Sequence, residues 1–225
     1  MIVKLVVQTV AWLVLAAVLL FWAAGTVLWT AGWIYLALTG LGGLGMGLWL
    51  ARTDPELLKQ RLAPPVRRGQ KPFDKVFMVV FLPLYHAWLP LMALDCVRFG
   101  WSHVPGWLRF AGVLFMLAGY VVVFFVFRVN TFAAPVVAIQ AERRQKVVDT
   151  GPYAVVRHPM YAGGGLIFVG TPLLLGSWWG LTAAAFFIPL VAVRAVLEER
   201  ALARELEGYE QYTRRVRYRL VPGLW

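Results

Sequence analysis

Long apolar runs constrain this chain more than any other feature of it. Residues 5–24, 27–51, 76–97 and 108–127 form four such runs, each about the twenty residues that an α-helix needs to cross the hydrocarbon core of a bilayer. Two shorter runs, residues 161–175 and 178–193, meet at Gly176-Ser177. Composition agrees with membrane helices. Hydrophobic residues make up 60% and charged residues 15%, with a mean hydropathy of +0.69, against roughly 45–50% and about 25% in soluble domains. Too little polar surface exists to cover a water-soluble globule. Intrinsic disorder, a secreted disulfide scaffold and a fibrous repeat are excluded by the same figures. The single cysteine, Cys96, has no internal partner for a disulfide.

The first run is too long for the apolar core of a signal peptide and leads through Ala23-Ala24-Gly25 into the second, which predicts a tight helical hairpin. In the second run, Gly40, Gly42, Gly43, Gly45 and Gly47 are residues of the size that lets helices approach closely. Pro83 and Pro90 interrupt the third run. Of the 22 Lys and Arg, 20 fall at the start of the chain or in residues 52–75, 128–158 and 194–225; Arg98 and Arg109 alone lie between the third and fourth runs. This bias puts both termini and both long loops in the cytoplasm. It also assigns the net charge of +11 to the membrane surface, since no nucleic-acid recognition module is present. The expected architecture is all-α, a polytopic transmembrane bundle of five to six helices arranged as hairpins, with a C-terminal cytoplasmic helical segment. Residues 1–127 are expected to form the N-terminal helices around the basic loop 52–75, and residues 128–225 the catalytic and cofactor-binding region. Two points stay open: the last pair of runs is either two tilted helices or a hairpin whose second arm continues into the cytoplasm, and residues 136–149 are a short β-hairpin or a loop.

Polar residues with chemical potential gather in the second half. Gly151-Pro152-Tyr153 is a turn signal. Arg157-His158-Pro159-Met160-Tyr161 follows at the mouth of the fifth run. Pro159 suits the first turn of a helix, which sets Arg157 and His158 before a positive helix end with unpaired donors. Taken singly, an Arg-His pair and two tyrosines at a membrane edge read as interfacial anchors. The second cluster is Arg194 with Glu198 and Glu199. Arg194 and Glu198 are four apart and share a helix face, and at an apolar boundary they belong against a polar cavity and not against lipid. Glu205, Glu207 and Glu210 read as a solvated face. Three scattered histidines and one cysteine give no metal-ligand spacing, and no nucleophile elbow, phosphate-binding loop or dinucleotide fingerprint occurs.

The run Val148-Asp149-Thr150-Gly151-Pro152-Tyr153-Ala154-Val155-Val156-Arg157-His158-Pro159-Met160-Tyr161-Ala162-Gly163, followed by Glu198-Glu199 with Leu202 and then Tyr209, Tyr212, Arg215 and Val216, resembles the isoprenylcysteine carboxyl methyltransferase family and the related phospholipid methyltransferases. Asn130-Thr131-Phe132 resembles a further family position, so the likeness covers residues 130–225. It implies an integral membrane enzyme using S-adenosyl-L-methionine at the cytoplasmic membrane edge. Carried over, it makes His158, Pro159 and Tyr161 lining of the cofactor pocket, with Gly151 and Tyr153 at its mouth. Glu198 and Glu199 match the acidic pair that closes it, and Gly119 a small residue beside the cofactor. Arg157, Arg194 and Glu199 are the implied catalytic residues, with Arg194 set to position an anionic acceptor. One departure is that the family has Phe-Gly several residues after the acidic pair, whereas this chain has Leu206-Glu207-Gly208, one residue shorter before Tyr209.

A lipophilic acceptor entering laterally would explain the membrane embedding, its reacting group being a carboxylate, an amine or a thiol. The expected location is a cytoplasmic membrane, in the first instance a bacterial inner membrane. Two other readings compete. A sterol-type membrane reductase would bind NADPH, and a non-catalytic membrane scaffold would bind neither cofactor. No half-to-half repeat supports a transporter.

Overall fold

The computed structural model describes residues 1–225 and is all-helical, with no β-strand. Five helices are long and apolar enough to cross a membrane: α1 (Ile2–Ala24), α2 (Thr30–Thr53), α4 (Pro72–Ala93, prolonged by a π-helical turn at Leu94–Arg98), α5 (Gly106–Val129) and α7 (Trp178–Glu205). A short helix, α3 (Pro55–Arg61), follows α2, and α6 (Pro159–Leu175) is a shorter apolar helix paired with α7. A last short helix, α8 (Tyr209–Arg215), closes the order. Helix boundaries follow local chemistry. Gly25 and Gly176 end α1 and α6 in the left-handed conformation, at φ 71° and 95°, where a residue with Cβ is strained. Pro55, Pro72 and Pro159 open α3, α4 and α6, in the one turn whose N–H groups are unpaired anyway. Ser177 caps α7 by accepting from Gly180 N at 2.7 Å.

The open points resolve in one direction each. α7 runs unbroken for 28 residues, so the second arm of the last hairpin does continue past its apolar part and carries Glu198 and Glu199 on the same rigid rod as the bilayer stretch. Pro189 within it, like Pro83 and Pro90 within α4, does not end the helix. Residues 136–149 form a loop with one 3-10 turn at Ala141–Arg143; Arg144 leaves that turn at φ 50°.

The contact that sets the site is the antiparallel pairing of α5 with α6. Gly112 faces Gly170 and Gly119 faces Gly163, so close that a Cβ on Gly119 would lie 2.6 Å from the carbonyl oxygen of Gly163 and one on Gly170 2.6 Å from that of Gly112. Without side chains between them the two backbones touch, the small-residue packing that apolar surroundings favour. Both glycine pairs are seven residues apart along their helices, two turns, so the seam is straight and brings the end of α5 at Asn130 beside Tyr153, just before α6, where Asn130 Nδ2 donates to Tyr153 Oη. In α2 the glycines divide: a Cβ on Gly47 or Gly40 would meet Leu5 or Leu13 of α1, whereas Gly43 and Gly45 have open space. The central core packs Leu20, Tyr35, Trp88, Leu89, Met92, Met116 and Leu175.

Candidate active site

The start of α6 and the prolongation of α7 meet the loop between α5 and α6. His158, the residue before Pro159, is 6% exposed, and its Nε2 lies 3.1 Å from Glu199 Oε1. A carboxylate accepts only, so Nε2 carries the hydrogen of that bond. The imidazole stacks on the Tyr161 ring at 5.3 Å and 10°, and Tyr161 Oη donates to Glu198 Oε2 at 2.6 Å. Glu198 Oε1 accepts nothing from the protein. Adjacent carboxylates on one helix point about 100° apart, so one pair serves two directions: Glu198 faces Tyr161, Glu199 the chain beyond α8.

Three cationic or hydrogen-donating groups converge on Glu199. Besides His158, Arg157 Nε lies 3.1 Å from Oε1, and Arg219 Nε donates to Oε2 at 3.0 Å. Arg157 Nε is buried without an aligned acceptor, so that contact is an ion pair with an unsatisfied N–H. The backbone joins the same arrangement: Arg157 N–H and His158 N–H donate to the carbonyls of Tyr218 and Arg219, each at 2.9 Å. Residues 217–219 are thus strapped along the start of α6.

Beside this cluster lies a cavity of about 100 Å³, lined mainly by apolar side chains. Phe132, Val136, Val137, Ile139, Leu202 and Leu206 supply its walls, and Tyr153, Arg157, His158, Tyr161 and Glu198 its polar face. Tyr153 Oη accepts from Asn130 Nδ2 at 2.7 Å, and the carbonyl of Tyr153 accepts from Tyr212 Oη at 2.8 Å. Burial pushes both phenols well above their ordinary range, so they remain neutral at any physiological pH. Asn130 Oδ1 also accepts from Phe132 N at 2.9 Å, turning the chain away from α5 into the cavity wall.

Five of the ten residues singled out from the sequence line this cavity. Glu199 stands behind His158, and Pro159 and Gly151 shape the backbone; Gly151 has φ 58°, the left-handed region open to glycine. Gly119 lies in the α5–α6 seam and is not among the cavity's lining residues. Arg194 is held elsewhere. Its Nε donates to Asp74 Oδ1 at 2.7 Å and its Nη2 to the carbonyl of Pro135 at 2.7 Å. Two residues escaped the sequence reading. One is Asp74, fully buried, whose position two residues after a helix-opening proline repeats the placing of Tyr161 after Pro159. The other is Arg61, whose Nη1 donates to the carbonyl of Ala133 at 2.9 Å while its guanidinium covers Phe127. Burial pulls Arg61 down to about 10, which leaves it charged at neutral pH.

Residues 107–207 match the phospholipid methyltransferase family. The matched segment runs from the first turn of α5 to just past α7 and so includes the glycine seam, the cavity loop, His158 and the acidic pair. It bears out the resemblance seen in the sequence. The match covers less than half of the chain; beside five membrane-length helices it points to methyl transfer, and the reductase reading gains no support. Arg61 and Asp74 precede the phospholipid methyltransferase segment, and Tyr212 and Arg219 follow it; all four contact it directly. Among curated proteins and solved structures, nothing matches the chain.

Proposed function

We propose that this protein is an S-adenosylmethionine-dependent methyltransferase that acts on a lipophilic acceptor at the cytoplasmic face of the membrane. The observation that carries the reading is the convergence of Arg157, His158, Tyr161 and Glu198 on one apolar-walled cavity inside the matched segment. The donor set suits the cofactor. Glu198 Oε1, unused by the protein, is an acceptor for hydroxyl or ammonium hydrogens, and Arg157 Nε, buried without a partner in line, is a donor for a carboxylate. The aliphatic walls suit an aromatic base. When bound, the cofactor supplies a methyl group on a positively charged sulfur. The protein's own part is to align donor and acceptor in line and to keep water out. His158 and Tyr161, fixed by the acidic pair, form the rigid floor on which that alignment rests. Glu199 orients His158 and Arg157.

A cavity of about 100 Å³ is smaller than ordinary cofactor sites of roughly 300–1,000 Å³. Binding therefore requires the wall to move outward, and residues 138–148, which hold one 3-10 turn and no other regular structure, are the adjustable part. The acceptor's reacting group is a carboxylate, an amine or a thiol on a lipid-like body. The basic loops 52–75 and 128–158 support a cytoplasmic site with both termini on that side.

The test is calorimetric titration of the detergent-purified protein with S-adenosylmethionine, S-adenosylhomocysteine and NADPH, beside Glu198→Gln. Saturable binding of the first two that weakens at least tenfold in the variant is the expected result. Binding of NADPH alone, or of none of the three, refutes the reading.

A further inference from the structure

Asp74, like Asp95, is a charged residue with 0% exposure outside the cavity itself, and it lies more than thirty residues before the matched segment. Its carboxylate is fully used. Oδ1 accepts from Arg194 Nε at 2.7 Å; Oδ2 accepts from Gln70 Nε2 at 2.7 Å and from the backbone N–H of Val137 at 2.8 Å. The carbonyl of Val137 accepts in turn from Lys71 N–H at 2.9 Å, so both backbone groups of that residue are tied to the start of α4. Arg194 adds a tie two residues earlier, at the carbonyl of Pro135. Its guanidinium lies between the rings of Phe77, at 4.6 Å, and Tyr161, at 5.3 Å.

We propose that Asp74, acting with Arg194, is a positioning residue for the cofactor cavity: the pair fixes residues 135–137, which carry Val136 and Val137 of the lining, relative to Tyr161, another lining residue. The inference rests on the function proposed above and deepens it. Val136, Val137, Tyr161 and Glu198 all line the cavity; Arg194 bonds the carbonyl of Pro135, next to the first two, and lies over the ring of Tyr161. Two charge-assisted hydrogen bonds, to Asp74 and to the carbonyl of Pro135, fix the planar guanidinium, and its face meets the Tyr161 ring. They also divide the loop into a pinned part, 135–137, and an adjustable part after it. Arg194 thereby acquires a role that needs no contact with acceptor.

The test uses the full chain in detergent, with Asp74→Asn, Arg194→Lys and the milder Gln70→Met, which removes one donor to Asp74 and leaves the ion pair. Three readouts are needed: S-adenosylhomocysteine affinity by calorimetry, the thermal midpoint, and amide hydrogen exchange resolved over residues 130–148. The expected result is faster exchange confined to that segment and affinity lowered on the order of tenfold or more in Asp74→Asn, with a smaller change of the same kind in Gln70→Met. Arg194→Lys, which keeps the charge but not both donors, is expected to fall between them. Wild-type affinity in a variant whose loop exchanges faster overturns the proposal, because the pinned wall would then not matter to binding. A lowered midpoint with unchanged exchange at 130–148 also overturns it, since the pair would serve stability alone. If Asp74→Asn does not fold, Gln70→Met decides by the same criteria. If the wild type binds no S-adenosylhomocysteine, the cofactor reading fails by itself, and exchange at residues 130–148 still decides whether the pair holds the wall.

Discussion

Replacing Gly119 by Ala tests the seam on which the site is built. The added Cβ would lie 2.6 Å from the carbonyl oxygen of Gly163 and 2.6 Å from Ile167 Cγ1. The side chain of Ile167 has rotamers to yield; the Gly163 carbonyl belongs to the backbone and does not. Ordinary contact begins near 3.4 Å, so α5 and α6 must part locally by about 0.8 Å. Overpacking of this kind costs about 1–3 kcal/mol, set against less than about 1 kcal/mol regained from the better helix propensity of Ala. For a chain of this length a net loss of about 2 kcal/mol corresponds to a fall of roughly 4–8 °C in the unfolding midpoint. Gly43→Ala is the matched control, because a Cβ there meets nothing within 4 Å; its midpoint should hold or rise slightly. The assay is thermal unfolding in one detergent followed by tryptophan emission, with S-adenosylhomocysteine titration of each folded variant. The separation carries Asn130 away from Tyr153, so Gly119→Ala should also bind more weakly than the control. Equal midpoints for the two variants would refute the argument that backbone contact holds the pair.

Three further outcomes are expected. Glu199→Gln leaves Arg157, His158 and Arg219 facing a neutral amide; it should lower stability by about 2–4 kcal/mol, less than a fully buried pair because Arg219 is 30% exposed, and abolish cofactor binding, read by calorimetry and melting. Ser177→Ala removes the cap on Gly180 N and the bond to Asp95, at a cost of about 1–2 kcal/mol; it lies at the other end of α6 from the site, so S-adenosylhomocysteine affinity should not change. In a Cys96→Ser background, an impermeant maleimide applied to intact cells should label His103→Cys and leave Arg68→Cys unmodified until the membrane is opened; the reverse pattern would invert the topology.

The membrane helices were legible because spanning is a local property: length and apolarity of one segment suffice, and the expected boundaries lie within a few residues of the helices found, except that α7 runs twelve residues past its apolar stretch. Arg157, His158 and Tyr161 were legible for a related reason, being grouped by a single helix start. What could not be read is partnership at a distance. Nothing near Arg194 announces that its carboxylate partner is Asp74, 120 residues away; four-residue spacing showed only that it shares a face with Glu198. Arg61 looked like one more charge in a basic loop until α3 placed it under Ala133. The place of Gly119 opposite Gly163 depends on how two helices cross, which the residues around it do not display. Residues 136–149 left a short β-hairpin or a loop open; the loop's backbone groups are taken by side chains such as Asp74 and Gln145, which no period in the sequence displays.

The strap at residues 217–219 bears on how the molecule is made. The N–H groups of Arg157 and His158 have their acceptors some sixty residues later in the chain, at Tyr218 and Arg219, and Glu199 receives Arg219 from the same stretch. During synthesis all six apolar helices leave the ribosome before those acceptors do. The bundle can therefore insert and pack while the start of α6 still faces water with its donors bare. The site is finished from the aqueous side, by a short segment laid across it after insertion, which separates the quality of membrane integration from the acquisition of activity.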